Sequence, residues 1–547
     1  MPTPSRCGRK ATSSARCSAD RWRSKLRKAL ILLPLLFAAP ALAQELTPAE
    51  AALKAHVAFL ASDAMRGRDT GSPELAVAEQ YAAAQMLAVG LKPGGPNGAW
   101  LQPVPLLAYK PADHGSLVLK RGSAETILEW GKDYIPRAVP SNPKLSLSGP
   151  VVFAGYGSEA EYKGLHVKGA IVAVLRDAPH SNASDVRAHL GTPVEQSRTA
   201  AAHGAIGIIL IEGNARHAIY SFAATVPHAQ SEAMTWQGSP DGGAAPAFSY
   251  LGFDGAARLF AGSKIKWDEV LAADKADRKL PLGPLGVTAT GTANTALRTL
   301  TSNNVVGLIE GTDKKAEYVV ISAHLDHVGV GDPDAKGDTI YNGAMDNAVG
   351  TASMLEVARA FTASGKRPRR SVLFVAVTAE EQGLVGSDYF AANPTVPKGS
   401  IVADVNLDMP VLTYKFEDLV VYGADRTSIG PTVAAVARAE GLTLTPDPAP
   451  EQASFVRSDH YSFVRAGIPA VSLEPGPKGP GKAAIDAFGE KHYHQPSDEV
   501  ALIDFSQGVR FVKLNYAIAR ALADGDQRPL WNKGDFFGLL YNGAGAK

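Results

Sequence analysis

Six side chains suited to metal binding or proton transfer stand where apolar runs end in the carboxy-terminal half of the chain. Tyr318-Val-Val-Ile-Ser-Ala323 runs into His324-Leu325-Asp326-His327, and Ser371-Val-Leu-Phe-Val-Ala-Val-Thr378 into Ala379-Glu380-Glu381. Ile401-Val-Ala-Asp-Val-Asn-Leu407 delivers Asp408, the turn Asn342-Gly-Ala-Met-Asp346-Asn347 opens a helical pattern, and Tyr493-His494 precedes the last one. Two imidazoles, two aspartates and two glutamates suit zinc, which accepts ring nitrogen and carboxylate oxygen and needs no thiolate. With His324, Asp346, Glu381, Asp408 and His494 as ligands, two Zn2+ ions are expected; Asp346 then has to bridge them, and Glu380 is left as the general base. Neighbours in an extended segment point to opposite sides, so Glu380 and Glu381 need not share a role. Each piece alone reads as structural, a hydrogen-bonded histidine or an acidic turn cap; their convergence argues for a metal centre. His327, His460 and His492 are expected to be structural or to support it.

The elements that carry these residues must deliver them to one edge. From Asn304 onward apolar strands alternate with helical patterns, which predicts an α/β unit built on a mainly parallel twisted sheet with helices on both faces. In such sheets, sites form at the carboxyl ends of the strands. Between 140 and 285 the texture changes to short β-type runs separated by Gly, Pro, Asn and Asp, which predicts a separate β-rich domain that holds none of the ligand candidates. Residues 44–139 and 286–547 are then the two parts of the metal-bearing domain, and Pro48 to Gly90 supplies two helical patterns broken at Arg66–Ser72. Gly476-Pro-Lys-Gly-Pro-Gly481-Lys482 has the spacing of a phosphate loop, but it is followed by Ala483 and its prolines remove backbone donors. Rim of a pocket and plain surface loop both stay open for it.

The chain has 547 residues, 45% hydrophobic and 20% charged, which implies more than one core and excludes disordered and polytopic membrane classes. Residues 1–43 hold nine Lys/Arg and one acid, a short apolar run and Ala41-Leu42-Ala43, the order of a secretory signal with cleavage before Gln44. Periplasmic or secreted export follows, with no stable membrane anchor after cleavage. Cys7 and Cys17, the two cysteines of the chain, fall in the removed segment. The remaining chain carries a net charge near −7, which offers nucleic acid no footprint. Oligomeric state, preferred side chain and physiological substrate are not readable from the sequence.

Ser322-Ala-His-Leu-Asp-His-Val-Gly329, Asn342-Gly-Ala-Met-Asp-Asn347, Thr378-Ala-Glu-Glu-Gln-Gly383, Asn406-Leu-Asp-Met409 and Tyr493-His494 occur in the order found in the M28 zinc peptidases. Tyr162–Val174 and Ala200–Leu210 resemble the protease-associated (PA) domain inserted in one branch of that family. The resemblance implies that His324 and Asp408 bind one zinc, that Glu381 and His494 bind the other, and that Asp346 bridges them across a cis peptide to Asn347. It implies Glu380 as the general base, Tyr493 as a donor to the oxyanion, and the Asp326 carboxylate as the group that orients His324. The expected activity is that of an aminopeptidase, acting on peptides with a free N-terminus. Carboxypeptidase or dipeptidase action on the same centre, or a non-enzymatic peptide-binding role, are the alternatives.

Overall fold

The computed structural model describes residues 46–240 and 245–547, so the signal segment and its cysteines lie outside the described residues. Residues Thr47–Lys547 form one compact unit.

Two sheets organise that unit. The centre of the first consists of parallel strands, in the order Arg370–Val377, Lys314–His324, Ile401–Asn406 and Ala470–Pro475. Antiparallel strands extend it on both sides: Asp418–Tyr422 beyond Ala470–Pro475, and Gly283–Ile309 followed by Leu101–Pro111 beyond Arg370–Val377. The expected parallel sheet is therefore the core of a mixed one. Its strands are buried on both faces because residues alternate between two layers of helices. Val319, Ile321 and Ala323 pack into the layer that contains Val349–Ala363 and Phe505–Asp524, whereas Val320, Leu373 and Val375 pack against Phe390, Phe463 and Phe537.

The second sheet centres on parallel strands Lys144–Phe153, Ile171–Leu175, Gly207–Ile211 and Ala247–Leu251. Ser116–Arg121 also joins it, through residues 288–292. Its strands therefore reach from Ser116 to Asn294, beyond the 140–285 change of texture. The boundary is hidden because Gly283–Ile309 is a single strand of 27 residues. Its first half pairs with Lys144–Phe153 and its second with Leu101–Pro111, with no linker between them.

Among the described residues, no helix is long and apolar enough to cross a membrane. The amino-terminal helix Pro48–Leu60 starts at a capping box of Thr47 and Glu50, and Pro73–Ala88 starts at a Ser72 cap, the signals expected of two lead-in helices.

Candidate metal centre

The parallel strands end on one edge of the first sheet, and the candidate ligands meet there. His324 closes Lys314–His324, and the Glu380–Glu381 pair follows Arg370–Val377. Asp408 follows Ile401–Asn406, Asp346 sits in the turn ahead of Val349–Ala363, and His494 follows Gly481–Lys491.

His324, Asp346 and Asp408 form one group of converging ligand atoms, and Asp346, Glu381 and His494 with His327 form a second; within each group the atoms lie within 4.8 Å of one another. Asp346 belongs to both. Its Oδ1 is 3.2 Å from His324 Nε2 and its Oδ2 is 3.2 Å from His494 Nε2, so each oxygen faces a different imidazole. Asp408 Oδ1 is 3.0 Å from His324 Nε2, and Glu381 Oε2 is 3.1 Å from His494 Nε2. His494 Nε2 is buried beside these carboxylates without an aligned hydrogen bond, and His327 Nε2 is also buried without a partner. Imidazole nitrogens and carboxylate oxygens gathered this closely fit a shared cation, and this set fits zinc.

The local chain makes this convergence possible. The Asp346–Asn347 peptide is cis. The Asp498 carboxylate accepts from the Met345 N–H at 2.9 Å and the Asp346 N–H at 3.0 Å, which fixes the turn from behind. A Cβ at Gly350 would lie 2.0 Å from Asn347 Oδ1, so only glycine lets that amide reach the Leu407 carbonyl and the Met409 N–H. Ser458 donates to Asp408 Oδ2 at 2.5 Å and accepts from Asn406 Nδ2. Arg68, fully buried, donates to the carbonyls of Leu60, Leu325, Asn342 and Gly343, tying the amino-terminal lead-in to both ligand loops. Arg68, Ser458 and Asp498 were missed in the sequence because their partners are backbone groups or lie far along the chain.

Asp326 departs from the expected role. The group that meets His324 Nδ1, at 3.1 Å, is the backbone carbonyl of Asp326, not its carboxylate. The carboxylate instead accepts from the N–H groups of Glu380 and Glu381, at 3.1 and 3.3 Å, and from the Thr70 hydroxyl. His324 closes its strand and Asp326 stands in the loop that follows, from which its carboxylate reaches across to the neighbouring strand end. His327, expected to be structural or to support the centre, has its Nδ1 2.8 Å from Glu381 Oε1, inside the cluster. The His-Leu-Asp-His spacing, which puts both imidazoles on one loop, was the available signal. His460 is buried with its ring edge-on to Phe455, and His492 meets Ser497 at 2.9 Å.

Burial and charge act against each other here. Burial pushes the Glu380 carboxyl well up, and Asp408, Asp459 and Glu381 add to the effect. Burial also resists ionisation of Asp346, yet His324 and His494 hold it well below the usual carboxylate range. His494, which burial alone would lower, is pushed up to about 10 by Asp346 and Glu381. A cluster this rich in buried negative charge calls for cations. It opens into a cavity of about 470 Å³ that Glu380, Tyr493, Pro477 and Lys482 also line, so the Gly/Pro-rich loop forms part of a pocket rim. The Tyr493 ring stacks on His494 at 4.0 Å.

Residues 304–519 match the model of peptidase family M28. That segment, which holds every candidate ligand, carries a peptidase family M28 domain. Curated relatives include leupeptin-inactivating enzyme 1 of Streptomyces exfoliatus, 32% identical over 188 residues, which are 33% of this chain and 39% of that protein. A probable glutamate carboxypeptidase of Arabidopsis thaliana is 28% identical over 191 residues, 32% of this chain and 24% of the relative. The chain thus spans well under half the length of these M28 relatives. Among solved structures, an aminopeptidase from Aneurinibacillus sp. strain AM-1 aligns over 87% of this chain and 93% of its own, with 21% identity and a TM-score of 0.48. M28 peptidases are zinc enzymes, and the cluster at the strand ends has the ligands to hold metal.

Proposed function

We propose that the protein is an exported aminopeptidase that uses two zinc ions, His324 and Asp408 holding one, Glu381 and His494 the other, and Asp346 both. The observation that carries this reading is the position of Asp346, with one carboxylate oxygen beside His324 and the other beside His494. Zinc held there would supply positive charge to acidify a water and polarise the scissile carbonyl. Glu380, which lines the cavity there, would take a proton from the attacking water and return it to the leaving amine. Tyr493 lines the same cavity and donates its hydroxyl to the oxyanion of the tetrahedral intermediate. Asp326 positions Glu380 and Glu381 through their backbone N–H groups. His327 holds Glu381 in place for metal.

The second sheet, read as a PA-like insert, covers the entrance. It supports that role by its reach: Arg137 and Val139 share a cavity of about 540 Å³ with Gln382 and Gly383, the residues after the glutamate pair, and with Trp236, whose strand Ala233–Trp236 pairs with Leu101–Pro111 of the first sheet. Trp236 also donates to Asp388 at 2.7 Å.

Surplus carboxylate charge at the metal centre favours a substrate amine over a substrate carboxylate. Product analysis by mass spectrometry on free and N-acetylated peptides tests the reading. Loss of one residue at a time from free N-termini, with the acetylated peptides left intact, is expected. Shortening of acetylated peptides from their C-termini would retain the metallopeptidase and remove the aminopeptidase.

A further inference from the structure

The cavity at the metal centre holds one acidic side chain with no part in the ligand cluster. Glu474 lies near the end of the strand Ala470–Pro475. That strand runs parallel to Ile401–Asn406 with Asn406 opposite Ser472, so continuing the register two residues brings Glu474 level with Asp408. Both line the cavity. Its hydrogen-bond partner is the Tyr422 hydroxyl, at a long 3.4 Å, and no lysine or arginine is ion-paired with it among the described residues. Of the two basic residues of the lining, Arg457 is exposed and acts on Glu474 through its charge without an ion pair, and Lys482 is paired with Asp486 at 2.7 Å. Val411, Val420 and Phe488 supply apolar wall around it.

A carboxyl group placed in a cavity beside apolar surface, without an ion-paired cation, is costly unless a ligand brings the missing charge. Apolar walls with a carboxylate between them suit a side chain with a methylene stem and a cationic tip.

We infer that Glu474 is a specificity-determining residue that selects substrates whose residue on the amino side of the scissile bond is lysine or arginine. The inference rests on the reading of the site as a peptidase centre, since the position of Glu474 beside Asp408 places it next to the first side chain of a peptide whose carbonyl sits at the metals. The cationic tip meets Glu474, the stem lies along Val411 and Phe488, and Tyr422 holds the carboxylate from the other side.

Two measurements on the zinc-loaded full chain test it. The first is kcat/KM on lysyl-, leucyl- and glutamyl-p-nitroanilide for the natural protein, Glu474→Gln and Glu474→Leu. Lysyl substrate is expected to lead leucyl by at least about 10-fold, and the ratio to collapse in both variants at unchanged zinc content. The second needs no turnover: calorimetric titration with free L-lysine and L-leucine, in which tighter lysine binding is expected to be lost in Glu474→Gln. A leucyl preference in the natural protein, or a lysyl preference that survives both substitutions, overturns the inference while leaving the peptidase intact. Lysine binding that depends on Glu474 in a protein that cleaves none of the anilides upholds the pocket and overturns the aminopeptidase. Equal binding of the two amino acids together with no cleavage overturns both.

Discussion

Both sheets carry acidic residues just past parallel strands, and among the described residues only those of the first gather into a set of side chains that could hold metal. In the second sheet Asp177 follows Ile171–Leu175 and accepts from Arg187 Nε at 2.7 Å, from the Ala178 N–H and from His180. Glu212 follows Gly207–Ile211 and accepts from the Phe222 N–H and the His217 ring. Asp274, packed nearby, accepts from the Tyr156 hydroxyl and from Asn214. Every one of those carboxylates is answered by a donor. In the first sheet Asp346, Glu381 and Asp408 face imidazoles and one another, and the donors that reach them leave oxygens turned inward. Acids at strand ends are common; what separates a binding site from a cap is whether N–H, O–H or guanidinium groups have already taken the lone pairs.

That contrast predicts opposite outcomes for matched substitutions. Glu380→Gln is expected to lower kcat by about three orders of magnitude or more with zinc content unchanged, because only proton transfer is removed. Glu381→Gln is expected to lose zinc together with activity, as read by metal analysis of the purified variant. Asp177→Asn, at the equivalent place in the second sheet, is expected to retain zinc and turnover and to lose about 1–3 kcal/mol of stability in denaturant titration, because Arg187 is left without its partner. Zinc loss in Asp177→Asn would end the comparison. Removal of metal by a chelator should abolish activity and Zn2+ or Co2+ should restore it, with about two ions per chain in the active form.

Arg68→Met sharpens the same point from the outside. Four carbonyls lose a buried donor, so a loss of about 3–5 kcal/mol in denaturant titration is expected, with weaker zinc retention because the Leu325 and Asn342 loops are no longer tied. His327→Asn should weaken zinc affinity by about 10–100-fold in competition with a chelating dye while leaving Tm of the metal-free chain close to natural.

The smallest effect concerns protons. Burial pushes His460, in the first region, down to about 3, and His189, on the helix Ser184–Leu190 that packs against the first region's Tyr461 and Phe537, down to about 4. The unfolded chain binds these protons below pH 6.5 and the folded chain does not. Their contribution is thus flat above pH 6.5, and stability falls as pH drops from there toward the folded values. For His460 that is about 2 kcal/mol at pH 5. Both its ring nitrogens lack partners, so His460→Leu should raise Tm at pH 5 more than at pH 8. An equal shift at both values would show that His460 is protonated in the fold.

The metal cluster was legible because each ligand stands where an apolar run stops, and strand ends of a parallel sheet share an edge. Its support was not. Arg68 and Leu325 are 257 residues apart, and a guanidinium bonded to carbonyls leaves no trace in periodicity. The Asp326 carboxylate was assigned to its neighbour in sequence when its partners were neighbours across the sheet, and Glu474 was hidden inside a buried strand. The parallel core of the first sheet was readable from its Val/Ile/Leu runs. The strand Gly283–Ile309 was not, because Gly286 and Gly291 and its alternating threonines make it look like several short runs, and pairing on both flanks overrides that punctuation.

That strand has a mechanical meaning. A module hung on a flexible tether can tumble; one spliced into its neighbour's hydrogen-bond ladder cannot, because each residue from Thr288 to Val305 is held by a partner on one sheet or the other. Any tilt of the second sheet against the first then means flexing a ribbon about its crossing near Asn294 and Thr295, where the partner changes, on a strand whose Val305 pairs with Ala376, three residues before Ala379 and the glutamates. The second sheet is grafted, not attached, and cutting it out would leave the first with a severed beam.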